Sequence, residues 1–149
     1  MPEPETREPK VEKPEAMLAE WLDRLDALVK DVKGWVEKSG WRTRVIGKPM
    51  KDPVLGPYKA PVLLMEQDTV EVALNPVSRF VPGADGAVDL YLMPAYDDIA
   101  RLYFEGGRWM INYAFHADPM ATHSVAEAEP LPLSEATMNQ VLSSIAAHV

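Results

Sequence analysis

The sequence feature that most constrains the fold is the glycine pair Gly106–Gly107, which has an alternating apolar run on each side. Two glycines between such runs are typical of a tight hairpin, because both central residues of a type I′ turn need a positive φ. With this pair as the loop, Phe104 is predicted to face Trp109, and Leu102 to face Ile111. The pattern therefore predicts two adjacent antiparallel strands in a defined register.

A third strand is predicted to precede this hairpin, with Pro94–Asp98 as the connecting loop. In that register Leu90 faces Leu102 and Val88 faces Phe104, so that Ala87–Ala114 forms a three-stranded meander. One face of the meander carries an almost wholly apolar set: Val88, Leu90, Leu92, Ala100, Leu102, Phe104, Trp109, Ile111 and Tyr113. We expect a helix to pack on this face, against the row of Leu90, Leu102 and Ile111.

The opposite face of the meander is more apolar than a solvated antiparallel face usually is. On this face Asp89 is predicted to lie beside Tyr103, with Tyr91 and Arg101 in the next row. Six side chains make up the predicted interaction surface: Tyr91, Met93, Ile99, Arg101, Tyr103 and Met110. We expect a helix, a second subunit or a ligand to cover it.

Glu15–Ser39 is predicted to be a long amphipathic helix, because apolar residues recur at steps of three and four. Its apolar stripe consists of Leu18, Trp21, Leu22, Leu25, Leu28, Val29, Val32, Trp35 and Val36. Gly40 stands where a left-handed C-terminal cap is expected, and Trp41 can then fold back against Val36. A coiled coil is the alternative, but packing on the sheet is favoured because strands follow the helix at once.

A second amphipathic helix is predicted from Ser134 to the C-terminus. Ser134 has the position of an N-cap, and Leu133 and Met138 have the spacing of a hydrophobic staple. The apolar residues of this helix are Met138, Val141, Leu142, Ile145 and Val149. The helix is expected to close the domain after a loop at His116–Pro132.

The segment between the long helix and the meander is predicted to hold three further strands. In chain order it reads as an edge strand at Trp41–Lys48, an irregular connection at Pro49–Pro61, a hairpin of Val62–Glu66 and Val70–Leu74 around Gln67–Asp68, and a loop at Asn75–Gly86. The irregular connection is predicted because four prolines and a glycine lie in it, and proline cannot donate to a ladder.

Together these elements predict an α+β fold, with a single antiparallel sheet of about five or six strands packed by the long N-terminal helix and closed by the C-terminal helix. Residues 15–149 are predicted to form one domain, which suits a chain of this length. Met1–Pro14 is predicted to be a disordered acidic, Pro-rich tail, because it has no aromatic residue and cannot bury enough apolar surface to offset its ordering entropy.

Composition excludes several kinds of function. A net charge of −8 argues against nucleic-acid binding as a main task, because that binding depends on clustered Lys and Arg. The absence of cysteine excludes disulfides, thiolate metal sites and a Cys nucleophile, and it fits a cytoplasmic protein. No long apolar run and no signal peptide are visible, so we expect no membrane partner.

No stretch carries a specific catalytic, cofactor or metal motif, and we expect none of the three. His116, Asp118 and His123 share a loop, but their spacing fits no helical or strand face, which favours ordinary polar loop residues. Asp97–Asp98 is interpreted as a turn, since aspartate side chains bond nearby backbone.

A local basic run of Arg42, Arg44, Lys48, Lys51 and Lys59 is interpreted as charge that protects an edge strand. Single-stranded nucleic acid, contacted through Arg42, Arg44 and Lys48, is the weaker alternative, because Trp41 and Tyr58 are interleaved with the basic residues.

We expect a non-catalytic protein-interaction module that uses the predicted interaction surface for self-association, as a homodimer, or for a partner protein. The alternative is a small-molecule-binding domain or an enzyme with a pocket between the sheet and the helices. Asp89, Arg101 and Tyr103 would be the polar groups of that pocket; otherwise they form a network that seals an interface. The sequence does not decide whether the chain is an enzyme, and the lack of a nucleophile beside these residues favours a non-catalytic role.

Overall fold

A computed structural model of the chain describes residues 13–114 and 129–147. In chain order its elements are α1 (Pro14–Lys38), β1 (Arg42–Asp52), β2 (Gly56–Gln67), β3 (Val70–Ser78), β4 (Ala87–Leu92), β5 (Asp97–Glu105), β6 (Arg108–Asn112), β7 (Leu131–Pro132) and α2 (Glu135–Ala147). The predicted α+β class is confirmed, and the described residues form seven strands rather than five or six.

All seven strands form one antiparallel sheet whose spatial order is the order of the chain. Both helices pack on one face, which we call the inner face; the other is the outer face. The inner face and the helices share one apolar core: Leu63, Met65, Val72, Leu74, Val88, Leu90, Ala100, Leu102 and Ile111 from the sheet, Trp21, Leu25, Leu28, Val29, Val32 and Val36 from α1, and Met138, Val141, Leu142 and Ile145 from α2. Full burial of one large apolar side chain contributes about 1.5–3 kcal/mol, so this core is the main source of stability.

The C-terminus of α1 has the predicted glycine cap. Gly40 has φ of 89°, its N–H donates to the carbonyl of Glu37, and the N–H of Trp41 donates to the carbonyl of Val36. These two hydrogen bonds define a Schellman motif, in which the residue after the glycine packs back on the helix. Trp41 and Val36 both lie in the core, as predicted.

The N-terminal half of α1 is fixed to the sheet through Trp21. Its indole Nε1 lies 3.2 Å from the hydroxyl of Tyr58, and its ring centroid lies 6.5 Å from that of Trp109. Gly86 passes directly against the ring, and a Cβ on Gly86 would lie 2.4 Å from Cζ3 of Trp21. The glycine therefore allows close approach of helix and loop.

The N-terminus of α2 is capped as predicted. The hydroxyl of Ser134 accepts a hydrogen bond from the N–H of Thr137, whose own hydroxyl accepts one from the N–H of Ser134. This reciprocal pair satisfies two free donors of the first turn. Met138 is fully buried and Leu133 packs against the same core.

The register of the meander is confirmed for one pair of strands and is wrong for the other. Phe104 faces Trp109 and Leu102 faces Ile111, as predicted, but Leu90 faces Ala100 instead of Leu102. A shift of two residues keeps every side chain on its predicted face, so the apolar pattern alone does not distinguish the two registers. The turn decides between them: β5 begins at Asp97, within the predicted loop, and the ladder has an irregularity next to Leu92.

The predicted irregular connection at Pro49–Pro61 is wrong, because β1 continues to Asp52 and β2 begins at Gly56. Pro49 pairs with Lys59, and the other two prolines of the ladder, Pro57 and Pro61, occupy the alternate pairs on either side. Alternate pairs of an antiparallel ladder exchange no hydrogen bonds, so a missing N–H costs nothing there.

Other boundaries differ by a few residues. The hairpin turn is at Asp68–Thr69, and Asn75–Ser78 belongs to β3, so that the predicted loop at Asn75–Gly86 shortens to the residues after Ser78. Leu131–Pro132, predicted as loop, pairs with β6. The predicted tail lies outside the described residues except for its last two, and Pro14 is the first residue of α1.

Candidate functional site

The predicted interaction surface lies on the outer face, and among the described residues no helix covers it. Ile99 is 42% exposed, whereas Tyr91, Arg101, Tyr103 and Met110 are half-buried. Met93 is also half-buried, immediately after the end of β4. The strands therefore bring five of these side chains to one side of the sheet, because residues two apart share a face. Met93, outside the strand, lies on the same side with Tyr91.

Asp89 is the centre of a polar network on this face. Its carboxylate is 1% exposed and accepts hydrogen bonds of 2.6 Å from Nε and 2.9 Å from Nη2 of Arg101. These bonds raise the pKa of Arg101 above its ordinary value. Asp89 faces Arg101 directly, and Tyr103 faces Ala87, which corrects the predicted placement of Asp89 beside Tyr103.

Tyr96 completes the network, and its role was missed by the sequence analysis, which assigned it to a turn. Its backbone has φ of 53°, and its hydroxyl donates to the second carboxylate oxygen of Asp89. This hydrogen bond raises the pKa of Tyr96. The ring also packs against that of Tyr91, with centroids 4.2 Å apart and the ring planes tilted by 52°. No pattern in the sequence signals this fold-back, since it depends on the left-handed turn.

Lys48 joins the same face from the edge of the sheet. Its Nζ donates to Oδ1 of Asn75 at 2.8 Å and to the carbonyl of Pro76 at 3.2 Å. Burial lowers the pKa of Lys48, and the negative charge of Asp89 partly opposes that shift. The amide of Asn75 in turn donates to the hydroxyl of Tyr91 at 3.0 Å. Lys48 is therefore engaged in the sheet rather than free at its edge.

A shallow apolar groove of about 320 Å³ lies beside this network on the outer face. Its lining comes from β1 to β4 and the residue after β4: Ile46, Gly47, Lys48, Pro49, Val62, Leu64, Ala73, Asn75, Tyr91 and Met93. Two of the six predicted interaction residues, Tyr91 and Met93, belong to it. The only charged group of the lining is Lys48, so the groove suits an apolar group with at most one polar end.

The basic residues of β1 are arranged along the edge of the sheet. Arg42 donates to Glu66 at 2.7 Å, and both side chains are exposed. Arg44 lines a second depression of about 330 Å³, which also includes Arg42, Glu66 and Glu71. Opposite charges therefore accompany two of the three basic residues that the sequence analysis singled out for nucleic-acid contact.

The described residues contain neither a candidate metal site nor a helix that could cross a membrane. Within residues 13–114 and 129–147, no group of three His, Asp or Glu side chains could hold a metal ion. His116, Asp118 and His123 lie outside the described residues. In the same ranges, neither α1 nor α2 combines the length and the apolar character needed to cross a membrane.

Comparison with known proteins adds no relative: no family model matches the sequence, no curated protein matches it, and no solved structure matches the chain.

Proposed function

We propose that this chain is a non-catalytic protein-interaction module that binds a partner protein, or a second copy of itself, through the outer face. The observation that carries the proposal is the apolar groove beside Tyr91 and Met93, on a face that no described helix covers. Contiguous exposed apolar surface favours association, because its burial releases water from both partners.

The polar network supports this proposal by keeping the surface rigid. Asp89 fixes Arg101 and Tyr96, and Tyr96 in turn supports the ring of Tyr91 at the margin of the groove. A surface that is already ordered loses less entropy on binding, so a given contact area yields more affinity.

Affinity capture with matched variants tests the proposal. Ile99→Lys places a charge on the outer face, whereas Val54→Lys makes the same change at an exposed valine in the turn between β1 and β2. We expect proteins retained by the wild type and by Val54→Lys to be lost with Ile99→Lys. Equal retention by both variants would contradict the use of the outer face.

Self-association is tested by light scattering of the full chain over a range of concentrations. A 16.6 kDa chain that dimerises through this face doubles its mass, and Ile99→Lys shifts the transition to higher concentration while Val54→Lys does not. If the mass stays that of a monomer at every concentration, self-association is rejected and only binding of a partner protein remains proposed.

A small-molecule-binding domain or an enzyme is the second candidate function. The groove volume favours it, because ligand pockets usually measure about 300–1,000 Å³ and combine apolar walls with a few polar groups. Lys48, Asn75 and Tyr91 supply such groups, and Asp89 and Arg101 lie next to them. Ligand-observed NMR with a fragment library tests this function: binding that Met93→Lys abolishes favours a ligand site, and absence of any hit rejects it.

A cytoplasmic location is part of the same proposal and rests on the cysteine-free sequence. Fractionation of cells that produce the tagged full chain tests it, and recovery of the protein from the medium would contradict it. We propose no cofactor and no nucleic-acid partner.

A further inference from the structure

The free edge of β1 presents main-chain groups that no strand of the described residues uses. β1 stands at the end of the strand order, and β2 is its neighbour on one side only. Pro49 faces Lys59 and has no N–H, so its pair is one that exchanges no hydrogen bonds with β2. Thr43, Val45 and Gly47 occupy the alternate pairs in the same series, so their N–H and C=O groups point away from β2.

The usable edge is short and has apolar side chains on both sides. Pro49 interrupts the row of outward donors, which leaves Thr43–Gly47 as the stretch that can accept another strand. Val45 is 47% exposed and lies on the inner side, opposite Leu63, whereas Ile46 is 41% exposed and lies on the outer side. An added strand would bury both side chains. Its binding would be stabilised by that apolar burial as well as by main-chain hydrogen bonds.

Charge indicates what kind of strand fits. The stretch Arg42–Lys59 has five basic residues and one acidic residue, in a chain whose net charge is −8. A second copy pairing edge to edge about Val45 would place Arg42 opposite Lys48 of its partner, and like charges directly opposite are destabilising. An acidic extended segment avoids this repulsion and pairs with Arg44, whose side chain lines an open depression.

We propose that the β1 edge is a docking site for an acidic, extended segment of a partner protein, which adds to the sheet beside Thr43–Gly47. Ile46 links this edge to the groove, because it belongs to both. Alternate side chains of the added strand therefore point toward the outer face, next to the groove. This inference deepens the proposed function and rests on it, in that the same partner would also contact the outer face.

A proline substitution separates strand addition from other binding. Val45→Pro removes one outward N–H and leaves the hydrogen bonds to β2 in place, as Pro49 does in the native chain. Val45→Ala is the matched control, since it shortens the side chain but keeps the N–H. If Val45→Pro fails to fold, Arg44→Glu tests the same edge through its charge.

The probe is a displayed library of random peptides of about ten residues, enough to span the edge, selected against the immobilised full chain. We expect the enriched peptides to be acidic and poor in proline. Fluorescence anisotropy of the synthesised peptides should show roughly tenfold weaker binding to Val45→Pro or Arg44→Glu, and a change of less than about threefold with Val45→Ala. Failure to enrich peptides, enrichment of basic ones, or equal binding to Val45→Pro and Val45→Ala would each overturn the inference.

Ile99→Lys distinguishes failure of this inference from failure of the proposed function. Peptides that lose binding to Ile99→Lys but not to Val45→Pro use the outer face without the edge, so the inference fails and the proposed function stands. Peptides that lose binding to Val45→Pro but not to Ile99→Lys support strand addition at the β1 edge. In that case the outer face is not part of the binding site. Selective binding of a single-stranded oligonucleotide over the enriched peptides would assign the basic edge to nucleic acid and overturn the inference.

Discussion

Asp89 on β4 and Arg101 on β5 face each other across the ladder, and two hydrogen bonds join the guanidinium to a carboxylate that is almost completely buried. A buried carboxylate depends on such partners, because desolvation of a charge is costly unless opposite charge and hydrogen bonds compensate for it. The outer face is therefore built around an ion pair whose acidic member has little access to water.

Replacing Arg101 with Gln is expected to lower the free energy of unfolding by about 2–3 kcal/mol, because the buried carboxylate loses its counter-charge. Arg42→Gln is the matched control. Its pair with Glu66 is highly exposed, with side chains 72% and 54% accessible, so its loss should cost less than about 1 kcal/mol. Urea unfolding measures both variants, and equal losses would mean that Asp89 does not need Arg101.

Gly86→Ala is expected to destabilise the fold by about 1–3 kcal/mol, because its new methyl group would overlap the indole of Trp21. Gly83→Ala is the control: Gly83 also has a positive φ, of 79°, but a Cβ there meets nothing within 4 Å. Thermal unfolding should therefore show a larger loss for Gly86→Ala. A smaller loss at Gly86 would show that Trp21 does not pack against the loop.

Ser134→Ala is expected to cost about 1 kcal/mol, because it removes the acceptor for the N–H of Thr137 at the start of α2. Ser143→Ala, at an exposed position inside α2, should be neutral or slightly stabilising, since alanine is the better helix former. Chemical denaturation of both variants checks this. A similar loss at the two positions would argue against a specific cap.

Tyr113 gives the fold an alkaline pH dependence. Burial raises its pKa to about 12, from an ordinary value near 10. The unfolded chain loses this proton first, so the contribution of Tyr113 is complete below pH 10 and disappears as the pH rises toward 12. A shift of about two pKa units corresponds to at most about 3 kcal/mol.

Tyr113→Phe should therefore lose less stability than the wild type between pH 10 and pH 12, measured by urea unfolding at each pH. Its stability at neutral pH is compared separately, because the variant also lacks the hydrogen bonds to Asp98 and Ser144. Parallel pH curves for the two proteins would contradict a raised pKa at this site.

The apolar pattern of the sequence was sufficient to predict the faces of the meander, but not its complete register. Leu90, Leu102 and Ile111 are all buried on the inner face as expected, yet Leu90 lies opposite Ala100. Side chains alternate along a strand, so registers that differ by two residues bury the same set. Gly106–Gly107 determined the register of the second hairpin, because a two-glycine turn can join two strands in few ways. The loop predicted at Pro94–Asp98 is compatible with several registers.

Proline was misleading where its position in the ladder mattered more than its presence. The number of prolines in this segment argues against a strand. In the structure, however, Pro49, Pro57 and Pro61 all lie in pairs that exchange no hydrogen bonds, so no hydrogen bond is lost. The fold-back of Tyr96 onto Asp89 was likewise not predictable, since it joins residues through a turn geometry that periodicity does not encode. Both differences affect the outer face, so its groove could not be predicted from the sequence.

The chain-order arrangement of the strands has a consequence for folding. Each strand pairs with the strand that precedes it in the chain, so the ladders join residues that are close in sequence. Trp21 joins distant parts of the chain, because it contacts Tyr58, Gly86 and Trp109. We therefore expect the docking of the N-terminal helix, rather than the pairing of any strand, to set the rate at which the native core closes.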